Sequence, residues 1–313
     1  MKVIFMGTPE FSVKVLKDLH EVYPVSLVVT QPDKQVGRKK ILTFSPVKET
    51  AIGLGIEVFQ PVKIRTDYNR ILEEKADIII TAAYGQIIPK AILDSPQFGC
   101  INVHGSWLPL LRGGAPIQRA IQRLHNTTGI TIMYMAQKMD SGDIIKQGSI
   151  PILKDDTSGI LFEKLSTIGS DLLLEVLPTI FNGTNKRKPQ NENLVTYAYN
   201  LKREEEIINW NSSCEEIDAH VRAFTPTPTV YTTIDNKQIK VLKVTHKIGL
   251  TPLEEESKNG TIVLIEKEYI GVKVLNGLIL ISEVQLSGKK RQDIKTFMNG
   301  AGRNLIMTDK MFK

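Results

Sequence analysis

The sequence predicts an α/β fold: a Rossmann-like, mostly parallel sheet with helices on both faces, followed by a small OB-like β-barrel domain. Three observations predict it. The first 150 residues alternate short apolar runs with segments of helical spacing. A polar stretch rich in Asn, Lys and Pro interrupts the chain at 182–200. Beyond it the composition changes to short β-rich runs. Strands separated by helices imply a parallel sheet covered on both faces. About five short strands in roughly 85 residues suit a small barrel. At 313 residues the chain is long enough for two domains, at about 150 residues each. We place the first domain at 1–188, a linker at 189–205 and the second domain at 206–313.

The elements follow in order. Val3-Ile4-Phe5-Met6 is a continuous apolar run, as in a strand buried on both faces. Gly7 ends it, Thr8 is the expected N-cap and Pro9 the first helical position. Phe11, Val15, Leu16 and Leu19 then recur at helical spacing. Val25–Thr30 is the second strand. Ser45-Pro46-Val47 opens a helix to about Leu54, and Ile56–Phe59 is the third strand. A helix near Asp67–Glu74 precedes a strand at Asp77–Thr81. Ile101–His104 is the fifth strand, Ala115–Leu124 a helix and Ile130–Tyr134 the sixth strand. Asp155-Asp156 before Thr157-Ser158 marks another helix start. In the second domain a helix at Ser213–Phe224 carries Cys214, Ile217, Val221 and Phe224 on one face. Strands are expected at Thr229–Ile234, Gln238–Thr245, Thr261–Glu266, Gly271–Val274 and Leu278–Gln285. Asp235-Asn236 and Asn276-Gly277 supply hairpin turns.

Composition excludes several classes. Hydrophobic residues make up 42% and charged residues 24%, normal for a soluble globular protein. No run approaches the roughly 18–20 apolar residues of a membrane span, and the N-terminus has no signal-peptide core. We expect a cytoplasmic protein and no membrane partner. Two cysteines, Cys100 and Cys214, exclude a disulfide framework and a four-cysteine zinc site. The first turn, Gly7-Thr8-Pro9, lacks the glycines that let a backbone approach a pyrophosphate, so NAD is not expected. The net charge is +6, from 40 basic and 34 acidic residues. Basic residues cluster at Lys34–Lys40, Lys186–Lys188 and Lys289–Arg291. Each run alone suits a solvated loop; three together point to a nucleic-acid partner.

The chemistry concentrates in two stretches. Asn102 and His104 are two apart at a strand end, so their side chains share a face. The C-terminal edge of a parallel sheet is where ligands bind in open α/β folds. An amide can donate to a developing oxyanion, and an imidazole can move a proton near neutral pH. The residues alone also permit a buried, hydrogen-bonded histidine with no chemistry. Met139-Asp140-Ser141-Gly142-Asp143 follows the sixth strand. A carboxylate there suits a partner for His104, and equally a turn with Asx bonds.

Longer motifs surround both stretches. Asn102-Val103-His104 precedes Ser106-Trp107-Leu108-Pro109 and Arg112-Gly113-Gly114-Ala115-Pro116-Ile117-Gln118. Gly129–Met133 and Met139–Asp143 follow. Gly7-Thr8-Pro9, Thr30–Asp33, Ser45–Lys48, Ala83-Tyr84-Gly85, Arg222–Pro226 and Gly288–Arg291 complete the set. This pattern closely resembles the methionyl-tRNA formyltransferases, from residue 3 to about residue 291. The resemblance implies formyl transfer from 10-formyltetrahydrofolate, a cosubstrate, to the α-amine of methionine on initiator methionyl-tRNA. It implies no metal. It gives His104 the proton of the attacking amine, Asn102 the tetrahedral oxyanion, and Asp140 the orientation of His104 and the stabilisation of its charged form. It implies a folate pocket at Ser106, Trp107, Leu108 and Pro109, with Ala83, Tyr84 and Gly85 nearby. The basic loop Asp33–Thr43 would bind tRNA through Lys34, Arg38, Lys39 and Lys40, mobile without tRNA and ordered with it. Lys289, Lys290 and Arg291 would add backbone contacts from the second domain. We expect a monomer.

The chain departs from that family's pattern in three places. Trp107 stands where leucine is usual, Thr227 where an aromatic residue is frequent, and Gly37-Arg38-Lys39-Lys40 is one glycine short. Three rival readings make different demands on the sequence. An amino-sugar formyltransferase would share the catalytic set but not the basic loop or the second domain. A folate-dependent hydrolase releasing formate normally carries an extra N-terminal regulatory domain. A non-catalytic RNA-binding protein would leave Asn102, His104 and Asp140 without purpose.

Overall fold

The apolar run at the N-terminus becomes β1 (Val3–Gly7), buried at all five positions. The computed structural model describes residues 1–36 and 41–313. Gly7 is required at the end of β1, because a Cβ there would lie 2.7 Å from Phe5 Cε1 and 2.8 Å from Ser12 Cβ. α1 (Phe11–Val22) then buries Phe11, Val15, Leu16 and Leu19. The expected cap at Thr8 is a correction: the helix starts two residues after Pro9, with Glu10 before it and no side-chain cap. The Thr8 hydroxyl instead donates to Tyr84 O at 3.0 Å, tying the loop after β1 to a neighbouring loop.

β2 (Val25–Val29) is followed by a short hairpin of β3 (Lys34–Val36) and β4 (Ile41–Thr43). Its antiparallel register pairs Lys34 with Thr43 and Gln35 with Leu42. The described ends of the basic loop are thus a paired ribbon, which composition alone did not suggest. α2 (Pro46–Gly53) is capped by Ser45, whose Oγ accepts from Lys48 N at 3.1 Å. β5 (Glu57–Phe59), α3 (Asn69–Glu73), β6 (Ile78–Ala82), α4 (Lys90–Leu93), β7 (Cys100–His104), α5 (Pro116–Gln122), β8 (Thr127–Tyr134), β9 (Ile144–Pro151) and α6 (Ser158–Phe181) follow.

Seven of these strands form one sheet in the order β5-β2-β1-β6-β7-β8-β9. β5, β2, β1, β6 and β7 run parallel. β8 pairs antiparallel with β7, and β9 with β8. The sequence reading contains no strand at β9 and no reversal at β8. β9 is an edge strand with only Ile144 fully buried, so it lacks the clear alternation that marks a half-buried strand.

Two compact units emerge. The first comprises 1–116, 127–151 and 162–200; the second comprises 117–126, 152–161 and 201–313. The expected linker therefore divides at residue 200. Its first part is bonded into the first unit: Arg112 N donates to Thr196 O at 2.9 Å and Ala198 N to Arg112 O at 2.7 Å.

In the second unit, α7 (Cys214–Ala223) opens with a capping box of Ser213 and Glu216, which satisfies two otherwise orphaned backbone donors. β10 (Val230–Ile234), β11 (Lys237–Ile248), α8 (Pro252–Glu255), β12 (Ile262–Ile265), β13 (Ile270–Val274), β14 (Gly277–Leu286), β15 (Gln292–Asp293) and α9 (Ile294–Asn299) complete it. The strands form an antiparallel sheet ordered β10-β11-β14-β13-β12, with β15 beside β14. Asp235 and Asn236 both have positive φ, 47° and 59°, as a type I′ hairpin requires. The second hairpin is displaced by one residue from expectation. Val274 pairs with Gly277, so Leu275-Asn276 is the turn. Gly277 pairs within the sheet, and it must be glycine because a Cβ there would lie 2.1 Å from Lys247 O.

Candidate active site

Parallel strands deliver their C-terminal ends to one edge of the first sheet. Asn102 and His104 stand at that edge on β7, both buried. Thr81, the register partner of Asn102 on β6, places its hydroxyl 2.9 Å from Asn102 Oδ1. With the carbonyl oxygen accepting from Thr81, the amide N–H₂ of Asn102 remains for another acceptor.

His104 Nε2 lies 3.1 Å from Leu111 O. A carbonyl only accepts, so Nε2 carries the proton and Nδ1 of the neutral ring is the basic nitrogen. Nδ1 faces Asp140 Oδ2 at 3.8 Å, within ion-pair range but beyond a hydrogen bond. The group that hydrogen-bonds the ring is thus Leu111 O. The Asp140 carboxylate itself accepts from Gly113 N at 2.8 Å.

Asp140 sits in a turn with φ of 48°. Gln190 Nε2 donates to Asp140 O and to Gly142 O, each at 2.8 Å. Gln190 Oε1 accepts from Arg112 Nε at 3.1 Å and Nη2 at 2.8 Å. Arg112 is completely buried, and its Nη2 also reaches Glu192 Oε1 at 2.7 Å. Hydrogen bonds from Arg112 and then Lys138 hold the Glu192 carboxyl down at about 2. Gly113 and Gly114 leave no room for side chains: a Cβ would lie 2.5 Å from Ala198 O and 1.9 Å from Asn200 Oδ1, respectively.

The segment after His104 is pinned by one hydroxyl. Thr131 Oγ1 donates to Ser106 O at 2.7 Å and accepts from Leu108 N at 3.1 Å and Gln147 Nε2 at 2.9 Å. Ser106 is buried, and its Oγ donates to Leu110 O at 2.7 Å. Leu108 packs with Met133 and Ile144, and Gln147 Nε2 also reaches its carbonyl at 2.9 Å. Pro109 is half-buried, whereas Trp107 is 42% exposed. In the loop after β6, Ala83 and Gly85 have positive φ and are exposed. Tyr84 points the other way, into a cluster with Ile4, Met6, Leu27 and Val29. Burial pushes its phenol well above the usual range.

Asn102, His104, Asp140 and the segment from Ser106 to Pro109 all lie in the first unit. Of the basic residues, Lys34 is exposed on β3; Arg38, Lys39 and Lys40 lie outside the described residues. Lys289 and Lys290 are exposed just after the turn that follows β14, and Arg291 is paired with Glu283. Among the described residues no group of three His, Cys, Asp or Glu could hold a metal ion. None of the described helices is long and apolar enough to cross a membrane. Sequence reasoning missed Thr81, Leu111, Thr131, Gln147 and Gln190. Arg112 stood in a motif without a role, Gln190 lay in the stretch taken as linker, and the Leu111 contact is a backbone carbonyl with no side-chain signal.

Comparison with known proteins gives a consistent picture. The formyl transferase family pattern matches residues 1–177, and the formyl transferase C-terminal domain pattern matches 200–302. A methionyl-tRNA formyltransferase of Lysinibacillus sphaericus is 47% identical over 311 residues, covering 98% of each chain. HypX from Aquifex aeolicus superposes with a TM-score of 0.66 at 15% identity; the match covers 98% of this chain and about half, 48%, of that longer one. An N-formyltransferase from Helicobacter canadensis, solved with folinic acid and dTDP-3-aminofucose, gives a TM-score of 0.64 at 20% identity over 93% of this chain and all of that one. At such identities the two structures speak for the fold.

Proposed function

The chain belongs to the methionyl-tRNA formyltransferase family, and from that premise we propose that Asn102, His104 and Asp140 carry its chemistry. The enzyme transfers the formyl group of 10-formyltetrahydrofolate to the α-amino group of methionine on initiator methionyl-tRNA, for translation initiation. In this reaction a bond forms between the amine nitrogen and the formyl carbon, and the bond from that carbon to N10 breaks. The amine sheds a proton, N10 of the departing tetrahydrofolate takes one up, and the carbonyl oxygen is negative only until the tetrahedral intermediate collapses.

His104 Nδ1 takes the proton. The single observation that carries this reading is the commitment of Nε2 to Leu111 O, which leaves Nδ1 as the basic nitrogen opposite Asp140. Asp140, fixed by Gly113 N, then stabilises the imidazolium by charge rather than by a hydrogen bond. Asn102 donates its N–H₂ to the oxyanion, an interaction stronger in the transition state than in the ground state.

Ser106, Trp107, Leu108 and Pro109 hold the folate, with Trp107 supplying an exposed ring face. Ala83 and Gly85 contribute from the adjacent loop. Tyr84 acts there through its backbone, since its carbonyl accepts from Thr8 and Gln31 and its ring is buried. Lys34, Arg38, Lys39 and Lys40, with Lys289, Lys290 and Arg291, bind the tRNA. The first domain holds the chemistry and the second adds tRNA affinity. The protein acts as a cytoplasmic monomer. The test offers 10-formyltetrahydrofolate with methionyl initiator tRNA, with an amino-sugar nucleotide, or alone. Formylated tRNA is expected only in the first; formyl transfer to the sugar, or hydrolysis alone, would overturn the reading.

A further inference from the structure

We infer that Gln190 is a positioning residue that sets Asp140 against His104; this rests on the roles given to Asp140 and His104 above. The orientation of its amide is settled by its neighbours. A guanidinium only donates and a backbone carbonyl only accepts. Oε1 must therefore face Arg112, and Nε2 must face the carbonyls of Asp140 and Gly142. Reversing the amide would set N–H against N–H and oxygen against two oxygens. As placed, both lone pairs and both protons of the amide are used.

Each end of this link is fixed for a separate reason. Arg112 cannot move: it is completely buried, its backbone pairs with Thr196 and Ala198, and Glu192 neutralises it. The Asp140 turn needs holding. Its φ of 48° lies in the left-handed region, which costs a residue other than glycine conformational energy unless surrounding contacts determine it. The paired grip on Asp140 O and Gly142 O supplies that determination from the backbone side, and Gly113 N supplies it from the carboxylate side. Gln190 thus passes the fixed position of Arg112 to the Asp140 carboxylate, 3.8 Å from His104 Nδ1.

The experiment is a double-mutant cycle of Gln190→Glu and Asp140→Asn in the full-length enzyme. A glutamate keeps the acceptor for Arg112 and has no N–H for the two carbonyls. Gln190→Met, similar in length and uncharged, is carried in parallel in case the glutamate variant fails to fold. Either Gln190 variant should lower kcat about ten- to a hundredfold, the scale of a 1 Å misplacement, with KM for both substrates little changed. In the Asp140→Asn background the same change should add almost nothing, because coupled residues are non-additive. A general structural defect would multiply instead. Wild-type kcat in a folded Gln190 variant, or full additivity, overturns the inference while leaving the roles of His104 and Asp140 intact. Wild-type kcat in Asp140→Asn alone overturns the role of Asp140 and the inference with it.

Discussion

Thr81 Oγ1 lies 2.9 Å from Asn102 Oδ1, across the register pair that joins β6 to β7. The contact engages the Asn102 amide oxygen and leaves its N–H₂ to face a substrate. Thr81→Val keeps the shape and removes the hydroxyl. It should lower kcat, while Thr81→Ser should restore it. Leaving the buried Asn102 oxygen unpaired should also destabilise by about 1–3 kcal/mol, read as a lower denaturation midpoint. Full activity in Thr81→Val would show that Asn102 keeps its orientation without this partner.

His104→Ala should lower kcat by about 10²–10⁴ and leave folate binding largely intact. Asn102→Ala should raise the barrier by about 2.7–4 kcal/mol with little change in KM for tRNA. Single-turnover formylation and folate titration measure both. A His104 variant within threefold of wild type, a far smaller change than loss of an acid or base produces, removes the imidazole from the mechanism.

Arg38 lies outside the described residues, and its expected behaviour rests on its chemistry. A guanidinium bridges two acceptors in a fixed geometry, whereas an ammonium does not. Arg38→Lys should therefore reduce initiator-tRNA formylation about tenfold or more, equivalent to ~1.4 kcal/mol. Folate binding should be unchanged. Lys39→Ala and Lys40→Ala should weaken all tRNAs alike and reduce the salt slope by about one unit. A silent Arg38→Lys beside a severe Lys39→Ala would move the reading role along the loop.

His220 gives the second unit an acid-sensitive point. Burial lowers its pKa below the ordinary 6.5, outweighing the hydrogen bond to Glu205 O that raises it. Between the folded value and 6.5 the unfolded chain binds more protons than the native one, so stability rises with pH. The contribution is present above 6.5 and is lost as pH falls towards the folded value. Thermal denaturation at pH 7.5 and 5.5 should show a smaller acid-induced loss for His220→Gln than for wild type. Equal losses would mean that His220 is hydrated or already charged in the native state.

The sheet was legible because its central strands are buried on both faces: Val3–Met6 and Ile78–Ile80 are unbroken apolar runs. Ser45 and Ser213 were legible as helix starts because capping favours a short polar side chain that can accept from a backbone N–H two or three residues on. The cap expected at Thr8 failed because its hydroxyl is claimed by Tyr84 O, 76 positions away. Asn102 and His104 could be paired from period-2 geometry alone. The partner that orients His104 could not, because any residue at position 111 supplies the same carbonyl. Gln190 was hidden for a different reason. Its neighbours have the polarity of a linker, and only the folded chain shows that a buried Arg112 draws them in.

Arg112 and Gln190 are 78 positions apart, and this separation bears on the order in which the molecule assembles. A guanidinium buried without its partners is strongly unfavourable. The loop after β7 therefore has no stable resting place until residues 190–192 exist and have returned to it. On a ribosome, β1, β2, β6 and β7 emerge well before that point, and distant contacts form late because closing a long loop must come first. Pulse-labelled hydrogen exchange during refolding should then protect the amides of β1 and β6 early, with those of Gly113 and Ala198 following together. The edge that carries Asn102 and His104 should therefore be the last part of the first unit to become native.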